Sequence, residues 1–322
     1  MNALTEQKCV HVVVGIIQNT KQEILVSRRK PDAHLGGLLE FPGGKVEKNE
    51  TPTEALRREL AEELNIDISR FTQLIQIPYT YTDRKILLDA YVVNEYLGKV
   101  SALEGQKITW RPVASLSDDD FPAANYGVLR ALQLPKIFPV TPSYSQYPEN
   151  FLINFEKVVR RASIRIIQLR SHELEPSEYI RLAKQCIELC KKYEVDLILN
   201  TNIEYFDKFP ATGLHLTSDN LLEAKKRPLS SKFLVGASCH NSHDIEHANS
   251  LGLDYMILGP VIEKHASKNC KTLGWEKFSE LAKKSLVPVY AIGGLGVDDL
   301  AVSLLCGGQG IAAIRNIWDI TN

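Results

Sequence analysis

From residue 137 onward the chain alternates two kinds of segment. Apolar or β-branched stretches fall at 137–141, 164–169, 196–199, 213–216, 233–237, 254–258, 287–292 and 309–314, and amphipathic stretches such as SEYIRLAKQCIELCKKY (177–193) lie between many of them. Short strands joined by helices pair in parallel, because each helix carries the chain back to the end it left. Eight such strands predict an α/β architecture, a closed (β/α)8 barrel of the TIM type, with a doubly wound open sheet as the alternative. The interval from 199 to 213 is short for a full helix, so one connection should be abbreviated.

The first part reads differently. CVHVVVGIIQ (9–18) and EILVSRR (23–29) form a strand pair around the turn NTKQ; 86–96 and 107–113 are further strands; 52–64 and 124–134 have helical spacing. This is an α+β pattern. The Pro-rich LPKIFPVTPS (134–143) marks the boundary. The expected division is one domain over 1–133, a linker at 134–137 and a barrel over 138–322, about what 322 residues accommodate. Lys plus Arg (38) nearly balance Asp plus Glu (39), a formal net charge of −1, which argues against a strongly basic nucleic-acid or membrane-surface protein. No apolar run reaches the roughly 18 residues of a membrane span, and no basic region precedes the first apolar run as in a signal peptide. The six cysteines are scattered and read as reduced thiols, with Cys186 and Cys190 as core residues of one helix. A cytoplasmic protein is expected, without a stable nucleic-acid or membrane partner; self-association is left open.

The densest chemistry surrounds residues 43–66. Thr51 is placed as an N-cap, Pro52 as the first helical residue and Glu54 as the acid of a capping box. Glu59 and Glu63 are four apart and Glu62 is three from Glu59, so three carboxylates crowd adjacent faces of one helix. Their repulsion is relieved by a hard divalent cation. Arg58 can pair with a neighbouring carboxylate, and the Gly43-Gly44 turn lets backbone approach a metal. A pair of glutamates alone is an ordinary solvated face. Here Gly44, Glu50, Arg58, Glu59, Glu62 and Glu63 fit G-x5-E-x7-R-E-U-x-E-E-x-G-U, with U aliphatic, at every position except Asn65, where the pattern has Gly. This resembles the Nudix box of hydrolases that cleave nucleoside diphosphates linked to another group. Asn tolerates the left-handed backbone that the Gly serves.

The resemblance implies that Glu59, Glu62, Glu63 and the Gly43 carbonyl hold Mg²⁺, or Mn²⁺ in its place, that Arg58 orients a carboxylate and that Glu50 supports the loop-helix junction. SRRKPDAHLGGLLEFPGGK (27–45) and DDDFPAANYGVLRAL (118–132) resemble the MutT branch, which destroys oxidised guanine nucleotides such as 8-oxo-dGTP and so averts mutation. On that likeness Asn125 reads the purine edge, Arg29 contacts substrate phosphate, and His34 and Phe41 lie near the nucleotide. Asn125 also reads as the N-cap of the helix that follows it. Glu104, in ALEGQ (102–106), is the expected loop carboxylate that completes the metal site or deprotonates water. The implied reaction is water attack on a nucleoside triphosphate, giving the monophosphate and pyrophosphate.

Residues 137–322 resemble thiamine phosphate synthase and its non-synthase relatives, in Ile-Gln168-Leu-Arg170, Gly213-Leu-His215-Leu216, Gly236-Ala-Ser238-Cys-His240, Leu258-Gly259-Pro260, Ser267-Lys268 and Ala291-Ile-Gly293-Gly294. The likeness implies a ligand site at the strand C-termini from Gln168, Arg170, Asn200, Asp219, Ser238 and Lys268, with backbone at Gly293 and Gly294 approaching a phosphate. Three positions depart from the family. Thr201 stands where a metal-binding aspartate is usual, His172 replaces a lysine, and Arg315 replaces a serine. The barrel is therefore open to three readings: a diverged synthase, a module for a thiamine-related phosphate, or a stabilising partner. A bifunctional thiamine-pathway enzyme is the alternative for the whole chain, its first half clearing pyrophosphate intermediates. His172, His240 and His265 have no compact metal-ligand spacing and read as core or surface residues.

Overall fold

The computed structural model describes residues 9–31, 35–206, 208–262 and 272–318. The chain divides into two units, Met1–Leu134 and Pro135–Asn322.

In the first unit the elements run β1 (Cys9–Ile17), β2 (Glu23–Arg28), β3 (Leu39–Glu40), β4 (Gly43–Lys45), α1 (Pro52–Leu64), β5 (Asp67–Thr80), β6 (Lys85–Leu97), β7 (Lys107–Pro112) and α2 (Tyr126–Gln133). One sheet has the order β4-β1-β6-β5, mixed because β1 runs parallel to β6 while β4 and β5 are antiparallel to their neighbours; the other has the order β3-β2-β7. Helix α1 buries Ala55, Leu56, Leu60 and Leu64 against Val13 and Ile17 of β1 and Tyr91 and Val93 of β6. Gly15 of β1 has no side chain because Leu60 fills that space. Strand β5, fourteen residues long, escaped the sequence reading. Its apolar alternation is broken by irregularities between Ile68 and Arg70, Arg70 and Phe71, and Gln73 and Ile75, each of which resets the inward face.

The second unit begins with β8 (Ile137–Pro139), so the strand starts within the expected linker. It continues through α3 (Phe151–Val159), β9 (Ile166–Leu169), α4 (Pro176–Tyr193), β10 (Asp196–Leu199), α5 (Ile203–Phe206), β11 (Gly213–Leu216), α6 (Ser218–Glu223), β12 (Leu234–Cys239), α7 (Ser242–Ser250), β13 (Tyr255–Leu258), α8 (Gly274–Ala282), β14 (Val289–Ala291), α9 (Leu300–Leu305), β15 (Gly310–Ala313) and α10 (Arg315–Trp318). The abbreviated connection is the four-residue α5. All eight strands are parallel, in the order β8-β15-β14-β13-β12-β11-β10-β9. A parallel bridge from Val140 to Gln168, with Thr141 N–H donating to Gln168 O at 2.9 Å, closes the ends on each other. The closed barrel thus replaces the open-sheet alternative. Phe138, Tyr255 and Tyr290 meet edge to face inside it, with ring centroids 5.1, 5.2 and 6.2 Å apart. Gly236 has no Cβ because the Tyr255 ring occupies that position. Cys186 and Cys190 are core residues of α4, their thiols pushed up by burial.

Candidate active site and barrel cavity

Helix α1 starts and stops where its chemistry requires. Thr51 Oγ1 accepts from Glu54 N–H (3.3 Å) and Glu54 accepts from Thr51 N–H (2.8 Å), the two halves of a capping box. Asn65 ends the helix at φ 59°, ψ 38°, and its N–H donates to Ala61 O. The left-handed residue of the motif is therefore present although the glycine is not. Glu50 takes Arg58 bidentately, Nε at 2.9 Å and Nη2 at 3.0 Å, and also accepts from Glu47 N–H. So held, Arg58 donates to Lys45 O (3.1 Å) and reaches Glu59 (3.0 Å) and Glu62 (3.2 Å).

Glu63 sits deeper. Its Oε2 accepts from Gly43 N–H at 3.0 Å. Burial, reinforced by the charges of Glu104, Glu40 and Glu59, pushes its carboxyl up to about 7. Burial also raises Glu59 and Glu40, and Glu104 opposes ionisation of both. The loop bearing Glu104 is tied to the end of α1: Leu103 N–H and Gln106 Nε2 both donate to Glu63 O (3.0 and 3.1 Å). Glu40 was not singled out from sequence, though it immediately precedes Phe41 in the FPGGK run. A Cβ at Gly44 would collide with the Glu59 carboxylate, and one at Gly43 with the Val13 carbonyl.

Among the described residues no three His, Cys, Asp or Glu side chains are gathered at metal-holding distance. The expected ligands are split instead: Arg58 engages Glu59 and Glu62, the latter 57% exposed, while Glu63 binds Gly43 N–H. The donor set nevertheless fits a hard divalent cation. It is all oxygen, and burial first, with the neighbouring carboxylate charges added, holds Glu59 and Glu63 above the usual carboxylate range.

Around this cluster lie the expected nucleotide contacts. Arg29 pairs with Glu40 at 2.8 Å. Phe41 is buried and stacks on Phe121, centroids 5.0 Å apart. Asn125 is 8% exposed, and its Nδ2 donates to Pro122 O at 3.4 Å. It does not cap α2: at φ −81°, ψ −8° it is already helical and no side-chain cap bond forms, so that part of the sequence reading is corrected. Tyr81, also missed, accepts from Ala124 N–H at 3.3 Å and so anchors the turn that carries Asn125. Arg130, stacked 4.4 Å over Tyr126, pairs with Asp118 and fixes the segment from its other end. His34 lies outside the described residues.

The barrel encloses a cavity of about 650 Å³. Gln168, Arg170, Asn200, Ser238, Gly293 and Gly294 line it. Asp219 does not: it is exposed in the first turn of α6, which corrects its assignment to the cavity site. Lys268 and His265 lie outside the described residues. His172 and His240, read as core or surface residues, both line the cavity. His215 lines it as well; the alternation of GLHL on β11 turns it inward, a signal available in the sequence. Burial first, then His172 and Arg170, pushes His215 down to about 3. Asn200 Nδ2 donates to Gln168 Oε1 (3.3 Å), while Asn200 Oδ1 is buried with no partner, an unmet acceptor at the cavity wall.

Comparison with known proteins agrees with both halves. Residues 13–131 match the NUDIX domain and residues 137–317 match thiamine monophosphate synthase. An 8-oxo-dGTP diphosphatase of Escherichia coli (strain K12) is 41% identical over 126 residues, 39% of this chain and 98% of that protein. The 8-oxo-dGTP diphosphatase of Proteus vulgaris is 36% identical over 102 residues, 32% of this chain and 91% of that protein. A thiamine-phosphate synthase of Fusobacterium nucleatum is 30% identical over 183 residues, 56% of this chain and 88% of that protein. The chain belongs to the thiamine monophosphate synthase family through its barrel and to the Nudix hydrolases through the unit that precedes it.

Proposed function

We propose that the first unit hydrolyses a nucleoside triphosphate to the monophosphate and pyrophosphate, with 8-oxo-dGTP as its substrate, and so cleanses the nucleotide pool. The observation that carries this reading is helix α1, whose capped first turn and Arg58–Glu50 pair set Glu59, Glu62 and Glu63 beside the Gly43–Gly44 turn. Glu59, Glu62, Glu63, the Gly43 carbonyl and Glu104 are the residues that would hold Mg²⁺ or Mn²⁺. A bound divalent cation would neutralise pyrophosphate charge and acidify water. Arg58, locked by Glu50, holds Glu59 and Glu62 in place, and Arg29 stands for the phosphates beside Glu40. The Asn125 amide offers one donor and one acceptor to a purine edge.

The test is a substrate panel on the full chain with Mg²⁺: 8-oxo-dGTP, dGTP, other nucleotides, nucleotide sugars and thiamine-related pyrophosphates. Selective turnover of 8-oxo-dGTP supports the reading. Full Mg²⁺-dependent activity in Glu59→Gln or Glu63→Gln removes the metal assignment.

For the barrel we infer binding of a thiamine-related phosphate without synthesis. Thr201 lacks the charge that a Mg²⁺ ligand supplies, and Asp219 is not in the cavity wall. A second reading, synthase activity, is favoured by the family match along the whole barrel. On that reading the Nudix unit clears pyrophosphate intermediates, and thiamine-related pyrophosphates win the panel. Thiamine phosphate titration separates a binder from a scaffold, and rescue of a thiamine auxotroph separates an enzyme from a binder.

A further inference from the structure

Arg29, the residue set aside for substrate phosphate, already holds an anion. Its Nη1 lies 2.8 Å from Glu40 Oε2, and the two side chains are 27% and 33% exposed. An ion pair partly withdrawn from water is screened less than one on the open surface. The backbone fixes both partners. Ser27 lies opposite Glu40 in the β2–β3 register, and Ser27 Oγ is 3.5 Å from Glu40 Oε1. Arg29 closes the same hairpin: its N–H donates to Leu38 O at 2.9 Å, and its carbonyl accepts from Gly37 N–H at 3.2 Å.

Glu40 also belongs to the acidic cluster. Three residues further on, Gly43 N–H donates to Glu63 Oε2 at 3.0 Å, and the buried Phe41 holds the intervening chain in place. Glu40 is one of the charges that oppose ionisation of Glu63, and Glu104 acts on Glu40 in the same way. One carboxylate thus takes part in the ion pair with Arg29 and in the field of carboxylates assigned to a divalent cation.

That double membership makes the metal-free site hostile to phosphate. A phosphate has to displace Glu40 from Arg29, and the displaced carboxylate stays beside it as a like charge. A divalent cation among Glu59, Glu63 and Glu104 gives Glu40 a second positive charge to face, and its hold on Arg29 slackens.

We propose that Glu40 is a positioning residue that masks Arg29 from phosphate until a divalent cation is bound, so that the first unit takes its nucleotide only after its metal. This rests on the Nudix reading of that unit. A merely structural ion pair predicts the opposite sign: its removal loosens Arg29 and weakens nucleotide binding with or without metal.

The test uses the full chain and 8-oxo-dGMP, the expected product, which is not turned over when Mg²⁺ is added. In calorimetric titrations with a chelator present, Glu40→Gln should bind it about tenfold more tightly than wild type, the scale of one charge-assisted contact. In Mg²⁺ the two should agree within about threefold, because the mask is then already lifted. Adding Arg29→Ala to Glu40→Gln should abolish the gain. Unchanged or weaker binding by Glu40→Gln in chelator, or a gain that survives Arg29→Ala, would overturn the mask. A second measurement needs only wild type. With ¹³C,¹⁵N-labelled arginine and no nucleotide, the two Arg29 Nη resonances should be separate while Glu40 restrains the guanidinium and should merge on adding Mg²⁺; Nη resonances that ignore Mg²⁺ would overturn the proposal even if Glu40→Gln does not fold. If wild type in Mg²⁺ does not bind 8-oxo-dGMP, the nucleotide reading fails, while the Arg29 resonances still decide the mask.

Discussion

Glu63→Gln separates the stability of the Nudix unit from its chemistry. A carboxyl moved from 4.5 to about 7 by burial and by three neighbouring carboxylates destabilises the fold whenever it is ionised. The displacement corresponds to about 3 kcal/mol. The sign follows from proton counting. Between the unfolded value and about 7 the native state holds more protons, so stability falls as pH rises through that window. Below 4.5 both states are protonated and the cost vanishes. In chelator-treated protein the Gln variant should therefore be more stable than wild type by about 3 kcal/mol at pH 8, and equal to it near pH 4. The amide still accepts from Gly43 N–H, so that bond is kept. Because the chain has two units, a global melt mixes two transitions, and hydrogen exchange of the α1 amides isolates the right one. Saturating Mg²⁺ should invert the order, since ligand binding stabilises only the protein that binds it. Parallel stability profiles for the two proteins between pH 4 and 8 would refute the argument that Glu63 is held under strain in the apo site.

Three further outcomes follow from the geometry. Gly44→Ala drives a methyl into the Glu59 carboxylate, so turnover should fall at least ~100-fold, the scale of misplacing a reacting group by an ångström, with the far-ultraviolet circular dichroism unchanged. Asn125→Ala should lose about 1–3 kcal/mol of discrimination between 8-oxo-dGTP and dGTP, read as the ratio of their kcat/KM values, while the rate on a poor substrate stays nearly the same. Gly236→Ala should destabilise the barrel by about 1–3 kcal/mol, because the added Cβ meets the fixed Tyr255 ring, and denaturant unfolding followed at Trp275 and Trp318 would register it.

Much of this was legible in the chain because local rules and global fold agree. The eight barrel strands announce themselves as apolar runs because parallel strands covered on both sides have no solvent face to encode. Helix α1 was readable to the residue, since Thr51, Pro52 and Glu54 are written into its first turn. What stayed hidden depends on distant partners. Strand β5 hides because its bulges interrupt the period of two. Glu40 hides because its importance comes from Arg29, Glu63 and Glu104, which only folding brings to it. The inward turn of His215 was encoded in GLHL, yet its bond to Ser238, 23 residues away, needed the register of β11 against β12. Asp219 failed in the opposite way: a motif match supplied a role, but the N-cap at Thr217 starts α6 at once and leaves it exposed outside the cavity wall.

The formal charge of −1 averages two sites of opposite character. In the Nudix unit the carboxylates are partly buried, and burial first displaces Glu63 to about 7, an arrangement that would draw in a phosphate only through a cation. In the barrel the wall presents donors, the Arg170 guanidinium and the backbone of the glycine turn. On the proposed reading that wall holds an anion without a metal, and Thr201, which lacks a carboxylate, bears on synthesis before it bears on binding. The two halves therefore need not share a cofactor, a substrate or a pH range.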